Sequence, residues 1–393
     1  MTETADIAHR HVTALVDELR EAGAIRSEEW AHAFAAVPRH VFVPRWYEQE
    51  TNTKGIAVWR MHHIIHEDQL PLIYRDQTLV TALDPDTAAR VDENAWTGIP
   101  TSSSTLPSLM AGMLEDLDVR DGQRVLEVGT GTGYNAALLC ARLGEHLVHS
   151  VDIDPDLVRD AQRRLAGIGF LPELTVGDGR LGSSTGDHFD RIIATCSVPR
   201  IPAEWIEQTL PGGVILSDVA LGIEGGLVRL TVDEEGRATG GFTATGGRFM
   251  AARSESHVYP QRERISYAAE TGTRPSTVTA EEIRRHYPFR LVLAFSLPDV
   301  VLVYHSADDS VMSLQLQQAD GSWARTPLAG DSVRTVTYGG DLELWQQVEA
   351  AWHWWNEAGC PEQDQFGYAR ETDGSVHIWH LPGGRHWDLS ARS

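Results

Sequence analysis

The run Val125-Leu126-Glu127-Val128-Gly129-Thr130-Gly131-Thr132-Gly133-Tyr134 has the residue types and spacing to hold a bound cofactor. It reads as a buried strand, a glycine turn and the start of a helix. The glycines allow backbone conformations that a Cβ forbids and let a ligand approach closely. Gly129, Gly131 and Gly133 lack the full dinucleotide spacing, so a pyrophosphate cradle is the weaker reading. Leu147 to Val151 is a second apolar strand, ending in Asp152 and Ile153. An acid about twenty residues past the glycines can accept hydrogen bonds from both hydroxyls of a ribose. Glu173 to Val176 leads into Gly177-Asp178-Gly179, where a carboxylate between glycines suits a loop closing over an adenine amino group. The plain alternative makes Asp152 and Asp178 solvated loop acids, and the agreement of motif, spacing and order argues against it.

These residues need a scaffold to position them. Asp156 to Ala166 reads as a helix, and Arg191 to Thr195 and Gly212 to Val219 as further strands. Strands alternating with helices imply a parallel sheet with ligands at the carboxyl ends of its strands. Glu127 leading into Gly-x-Gly-x-Gly resembles the first motif of S-adenosyl-L-methionine (SAM) methyltransferases. On that resemblance the cofactor is SAM, bound by Glu127, Gly129, Thr130, Gly131, Gly133, Tyr134, Asp152, Ile153, Asp178 and Gly179. The expected fold is α/β: a Rossmann-like methyltransferase sheet with an amino-terminal helical cap and an additional carboxyl-terminal α+β domain. The expected divisions are 1–120 for the helices and cap, 121–222 for the core, and 223–393 for the last domain, a substrate-recognition unit.

Around the core the pattern varies. Ile7 to Arg20 is helical, and a second helix follows the N-cap Ser27 until Pro38 stops it. From Arg39 to about Pro100 the chain is irregular and rich in His, Trp, Asp and Pro, as an elaborated cap over the site would be. Thr105 to Leu117 is helical. After Gly222, Leu227 to Val232, Leu291 to Phe295, Val300 to Tyr304 and Val311 to Leu316 read as strands. One helix, capped by Asp341 and ended by Gly359, sets Leu344, Trp345, Val348, Ala351, Trp352 and Trp355 on one face, with Trp354 off it. Helix-spaced aromatics usually form a core, a peptide-binding surface being the alternative. His62 and His66 fall four apart, as on one helix face, but a surface or substrate-facing histidine cluster with His63 is the better reading and no metal is expected.

Composition excludes several classes. The net charge of −23 over 393 residues opposes nucleic-acid binding, which needs a basic face. No 18-residue apolar run or signal segment points to a membrane, and Cys140, Cys196 and Cys360 form no disulfide or metal framework, so the cytoplasm is the expected compartment. The oligomeric state is left open.

Over its first 220 or so residues the chain resembles the protein-L-isoaspartate O-methyltransferases. The resemblance rests on Ala36-Val37-Pro38-Arg39-His40-Val41-Phe42-Val43-Pro44, Val125 to Tyr134, Gly177-Asp178-Gly179, Ala194 to Pro202, and Leu210-Pro211-Gly212-Gly213. The family sets a Thr-Ile-Ser-Gln-Pro segment against the substrate carboxylate. Here the matching stretch is Ser103-Ser104-Thr105-Leu106-Pro107, so the serine becomes Thr105 and the amide is lost at Leu106. The resemblance implies that hydroxyls of Ser103, Ser104 and Thr105 orient a carboxylate, although Ser/Thr runs also serve as helix N-caps. The stretch from Val43 to Thr101 is longer than in housekeeping repair enzymes, and the domain after Gly222 is expected to have no counterpart in them. Both features are similar to a branch associated with ribosomally made peptides. In that branch an aspartate methyl ester collapses to an aspartimide, which can hydrolyse to isoaspartate. The partner implied is therefore a modified precursor peptide. Housekeeping isoaspartyl repair and a non-catalytic SAM-binding module are the alternatives.

Overall fold

The computed structural model describes residues 3–52, 57–64, 69–254, 267–305, 312–330 and 333–389. The amino-terminal stripe folds as read. α1 (Glu3–Glu21) buries Val12, Leu15, Val16 and Leu19, and α2 (Glu28–Ala36) starts where Ser27 Oγ accepts the Trp30 amide at 3.4 Å. α3 (Arg39–Phe42) follows Pro38.

The stretch read as irregular is an antiparallel sheet. Its elements are β1 (Arg45–Thr51), β2 (Ala57–His63), α4 (Leu70–Ile73), β3 (Leu79–Leu83), β4 (Ala89–Asp92), β5 (Ala95–Thr97) and β6 (Pro100–Ser104), with strand order β4-β5-β2-β1-β3-β6. Few of its strands show clean in–out alternation; β4 is exposed throughout, so the period of two that betrays a half-buried strand is missing. His62 and His63 lie in β2, not on a helix, and His66 falls outside the described residues. The hydroxyl run forms β6, an edge strand, and α5 (Pro107–Leu117) begins after it without a side-chain cap. The N-cap alternative for these hydroxyls therefore fails.

The core alternates as expected: β7 (Val125–Val128), α6 (Tyr134–Leu143), β8 (Val148–Asp152), α7 (Pro155–Gly167), β9 (Glu173–Val176), β10 (Phe189–Val198), α8 (Ala203–Glu207) and β11 (Thr209–Ala220). Strands β9-β8-β7-β10-β11 run parallel, and β7 and β8 are buried throughout, as strands covered on both faces must be. β12 (Gly225–Val232) and β13 (Ala238–Phe242) continue the sheet antiparallel.

The remaining elements are β14 (Glu270–Pro275), α9 (Ala280–Arg285), α10 (Tyr287–Ser296), β15 (Val301–His305), β16 (Ser313–Gln317), β17 (Trp323–Pro327), β18 (Thr335–Gly339), α11 (Glu343–Glu357), β19 (Phe366–Arg370), β20 (Val376–His380) and β21 (His386–Asp388). Leu291 to Phe295 is thus helix, not strand. Pro288 starts α10 in its first turn, and burial on all sides erased the period that separates short apolar helices from strands. β14 to β18 make a separate five-stranded sheet, whereas β19 pairs with β13 and extends the core sheet to ten strands. The expected division at 222 thus falls inside one continuous sheet.

α11 buries Leu344, Trp345, Val348, Ala351 and Trp355. Asp341 accepts the Glu343 amide at 2.8 Å, and Gly359 (φ +84°) follows the last turn. Trp354, off that face, packs edge-on against His380 and Trp387 at 5.5 and 5.2 Å. The tryptophans are core, in one apolar cluster that runs from Leu126 and Val151 to Trp345, Trp355 and Trp387. Trp345→Ala should cost about 3–5 kcal/mol. Because the core is shared, urea unfolding followed by fluorescence and by far-UV circular dichroism should shift together. An early separate transition would contradict the shared core.

Candidate active site

A cavity of about 590 Å³ opens at the carboxyl ends of β7, β8 and β10, a volume suited to a nucleoside-sized ligand. The glycine turn forms its floor. Gly129 has φ +100°, and a Cβ there would stand 2.7 Å from Thr195 Oγ1, which donates to Gly129 O at 2.7 Å. Gly133 (φ +86°) starts α6 against Ala161, where a Cβ would come within 2.9 Å, so it shapes the turn rather than lining the cavity.

Glu127 is fully buried. Its carboxylate accepts Asn135 Nδ2 at 2.8 Å and Ser150 Oγ at 2.5 Å. Because Ser150 gives its proton to Glu127, Thr130 Oγ1 is the donor in its 2.6 Å bond with Ser150 Oγ. Burial pushes the Glu127 carboxyl up to about 7, against those hydrogen bonds. Asp152 accepts Gly131 N at 2.8 Å and Asp154 N at 3.0 Å, pinning the turn to β8. Burial raises its pKa, opposed by the two amides and by the charge of Arg253. Ile153 and Leu157 set an apolar wall beside it, and Thr130, Gly131, Tyr134 and Gly179 also line the cavity. This is a cradle with ribose acceptors and an apolar flank, and the residues fit SAM.

Asp178 does not join them. It is absent from the cavity lining, and its carboxylate takes Arg180 N, Nε and Nη2 at 2.7–3.2 Å, which hold its pKa down. The sequence placed the loop correctly but hid the arginine two residues on that captures the acid.

The hydroxyl strip from Pro100 to Thr105 lines a second wall, which meets the glycine turn where Ser102 and Ser103 approach Gly131. Ser102 and Ser104 are almost wholly buried in this wall, their hydroxyls accepting from Thr81 Oγ1 at 3.0 Å and from Arg39 at 3.4 Å respectively while both residues border the cavity. Ser103 and Thr105 make no side-chain hydrogen bond to the described residues and are available to a ligand.

The third wall was not read from sequence. Residues 245–253 return across the carboxyl end of β10. Ala251 bridges Ser197, Ser197 N donates to Met250 O (2.9 Å), and Ala252 N donates to Ser197 O (2.8 Å). Asp218 Oδ2 accepts Phe249 N at 2.9 Å, and Glu224 pairs with both Arg248 and Arg290. The segment has no period, so no sequence signal marked it. Cys196 lies beside it, its thiol pushed up to about 12 by burial.

Away from this cavity, His149, Glu173 and Asp187 bring potential metal donors within 4.8 Å of one another. Arg124 donates to His149 Nε2 at 3.1 Å and to Asp187 at 3.0 Å, so a guanidinium already supplies the positive charge.

The family model of protein-L-isoaspartate(D-aspartate) O-methyltransferases matches residues 82–245. A protein-L-isoaspartate O-methyltransferase of Fervidobacterium nodosum is 36% identical over 139 residues, 33% of this chain and 69% of that protein. One of Thermococcus onnurineus is 30% identical over 221 residues, 56% and 81% of the two chains. A solved structure named protein-L-isoaspartate O-methyltransferase aligns with TM-score 0.51 at 20% identity, covering 93% of this chain and 98% of its own. That likeness is one of fold, and it runs well past Gly222. The carboxyl-terminal region therefore has a structural counterpart in a chain of that name, contrary to expectation.

Asp152→Ala should weaken SAM binding by about tenfold or more in calorimetry, since it removes a charged acceptor and frees the turn. Asp178→Ala should have a much smaller effect, and equal losses would overturn the distinction. Burial also lifts Asp218 from 3.8 to about 6. A raised carboxyl pKa gives stability that is full below the unfolded value and lost as pH rises through the folded one. Asp218→Asn should therefore melt higher than wild type above pH 7 and alike near pH 4, measured by thermal unfolding.

Proposed function

Given that this chain belongs to the protein-L-isoaspartate O-methyltransferase family and is a SAM-dependent carboxyl O-methyltransferase, we propose that it methylates an aspartate side chain in a ribosomally made, macrocyclic peptide. The observation that carries this reading is the six-stranded cap whose hydroxyl edge, β6, forms a wall of the cavity. That cap fills the stretch which the family resemblance leads us to expect to be longer than in housekeeping repair enzymes.

SAM supplies an electrophilic methyl group on a sulfonium. Glu127, the glycine turn and Asp152 would hold it, with Ile153 and Leu157 supplying apolar surface. Ser103 and Thr105 would donate hydrogen bonds to the substrate carboxylate and so orient it in the cavity. The carboxylate is ionised at neutral pH and needs no base. Acceleration comes from alignment in a site shielded by residues 245–253. In the ester product, the following residue's amide nitrogen attacks the side-chain carbonyl and methanol leaves. This closes an aspartimide without help from any protein residue.

A second reading, repair of isoaspartyl residues, is favoured by the relatives' names and by the structural counterpart of the carboxyl-terminal region. Mass spectrometry on an Asp-Gly peptide, its isoaspartyl twin and a macrocyclic aspartyl peptide separates the two. Methyl gain followed by methanol loss on the macrocycle alone is the expected outcome. Selective methylation of the linear isoaspartyl peptide would establish repair instead.

A further inference from the structure

Arg39 is wholly buried, yet none of the oxygens it bonds belongs to a carboxylate. Nη1 donates to Ile73 O at 2.7 Å and Arg75 O at 3.0 Å. Nη2 donates to Gln77 O at 3.0 Å, Thr105 O at 3.1 Å and Ser104 O at 3.3 Å. Nε and Nη2 both reach Ser104 Oγ at 3.4 Å. Five carbonyls and one hydroxyl, drawn from two segments far apart in sequence, thus converge on one planar cation. Buried charges are ordinarily matched by an opposite charge in direct contact, and here the nearby Asp76 carboxylate acts on Arg39 only through space, every hydrogen bond going to a neutral oxygen.

We infer that Arg39 is the positioning residue of the reaction: it ties the hydroxyl strip 103–105 to residues 73–77 and brings positive charge behind the wall where the substrate carboxylate docks. This rests on the methyl-transfer reading above. Two physical effects follow from the geometry. The rigid fork fixes two main-chain strips at once, which a lysine's single ammonium cannot do. And Ser104, accepting from a guanidinium while lining the cavity, has its own O–H polarised and free to donate. A carboxylate arriving at the strip supplies the negative charge that the buried guanidinium lacks among its bonding partners. Burial lowers the Arg39 pKa only to about 10, so the cation persists at neutral pH.

The test compares full-length wild type with Arg39→Lys, Arg39→Met and Ser104→Ala, each checked for folding by circular dichroism. Calorimetry with SAM is run beside kinetics on the peptide that wild type turns over. Arg39→Met should lower kcat/KM by about 100-fold, the scale of a small misplacement at a reacting group, with SAM affinity held within about twofold. Arg39→Lys should recover about tenfold of that loss, since it restores charge but not the fork. Ser104→Ala keeps every carbonyl bond to Arg39 and should raise KM with little change in melting temperature. Unchanged kcat/KM in Arg39→Met, or SAM affinity falling in step with it, overturns the inference. So does a Ser104→Ala variant with wild-type KM, should Arg39→Met not fold. Wild type inert toward every peptide sinks the methyl-transfer reading instead. Hydrogen exchange then decides for Arg39: faster exchange confined to residues 73–77 and 101–106, with SAM still bound, supports the clamp, and unchanged or global exchange refutes it.

Discussion

The cavity depends on satisfying two buried carboxylates, on β7 and at the end of β8, through hydrogen bonds from neutral donors. Glu127 is answered by an amide and a hydroxyl, and Asp152 by two backbone amides. Each bond has a geometric consequence. Asn135 ties the first turn of α6 to β7, Ser150 and Thr130 tie β8 to the glycine turn, and Gly131 can reach Asp152 only through a left-handed backbone. Leaving any of these acceptors unmet in a low-dielectric floor is expensive, so the polar network fixes the turn more tightly than apolar packing alone.

The β6 wall solves the reverse problem. Arg39 is a buried cation met by carbonyl oxygens, and its six acceptors hold the strip that carries Ser103 and Thr105. Acidic groups hydrogen-bonded to neutral donors thus underlie the glycine-turn side of the cavity, and a basic group hydrogen-bonded to neutral oxygens stands behind its β6 side. That polarity is the one the proposed methyl transfer, from a positive sulfonium to a negative carboxylate, calls for.

The sequence disclosed what local chemistry encodes. Glycine spacing, the acid after the second strand and the apolar runs located the floor, because those residues act through their own backbone or their immediate neighbours. It did not disclose what tertiary contact decides. Asp178 looked like a ligand residue until Arg180 claimed it. Leu291 to Phe295 looked like a strand until burial on every side showed why its period was missing. The cap looked irregular because short, half-exposed strands such as β4 carry no alternation to detect. Arg39 sat in plain view within Pro38-Arg39-His40, but its acceptors are 34 to 66 residues away and no pattern links them.

Residues 245–253 complete the cavity only after β12 and β13 have turned the chain back toward Ser197. A nascent chain that has just finished the parallel core therefore possesses the glycine turn, Glu127 and Asp152 but an open-sided pocket. Domains fold as units while synthesis proceeds from the amino terminus. Here competence to shield a methyl donor from water arises late, once the third wall has emerged from the ribosome. The order of the elements along the chain delays activity until the enclosure is built.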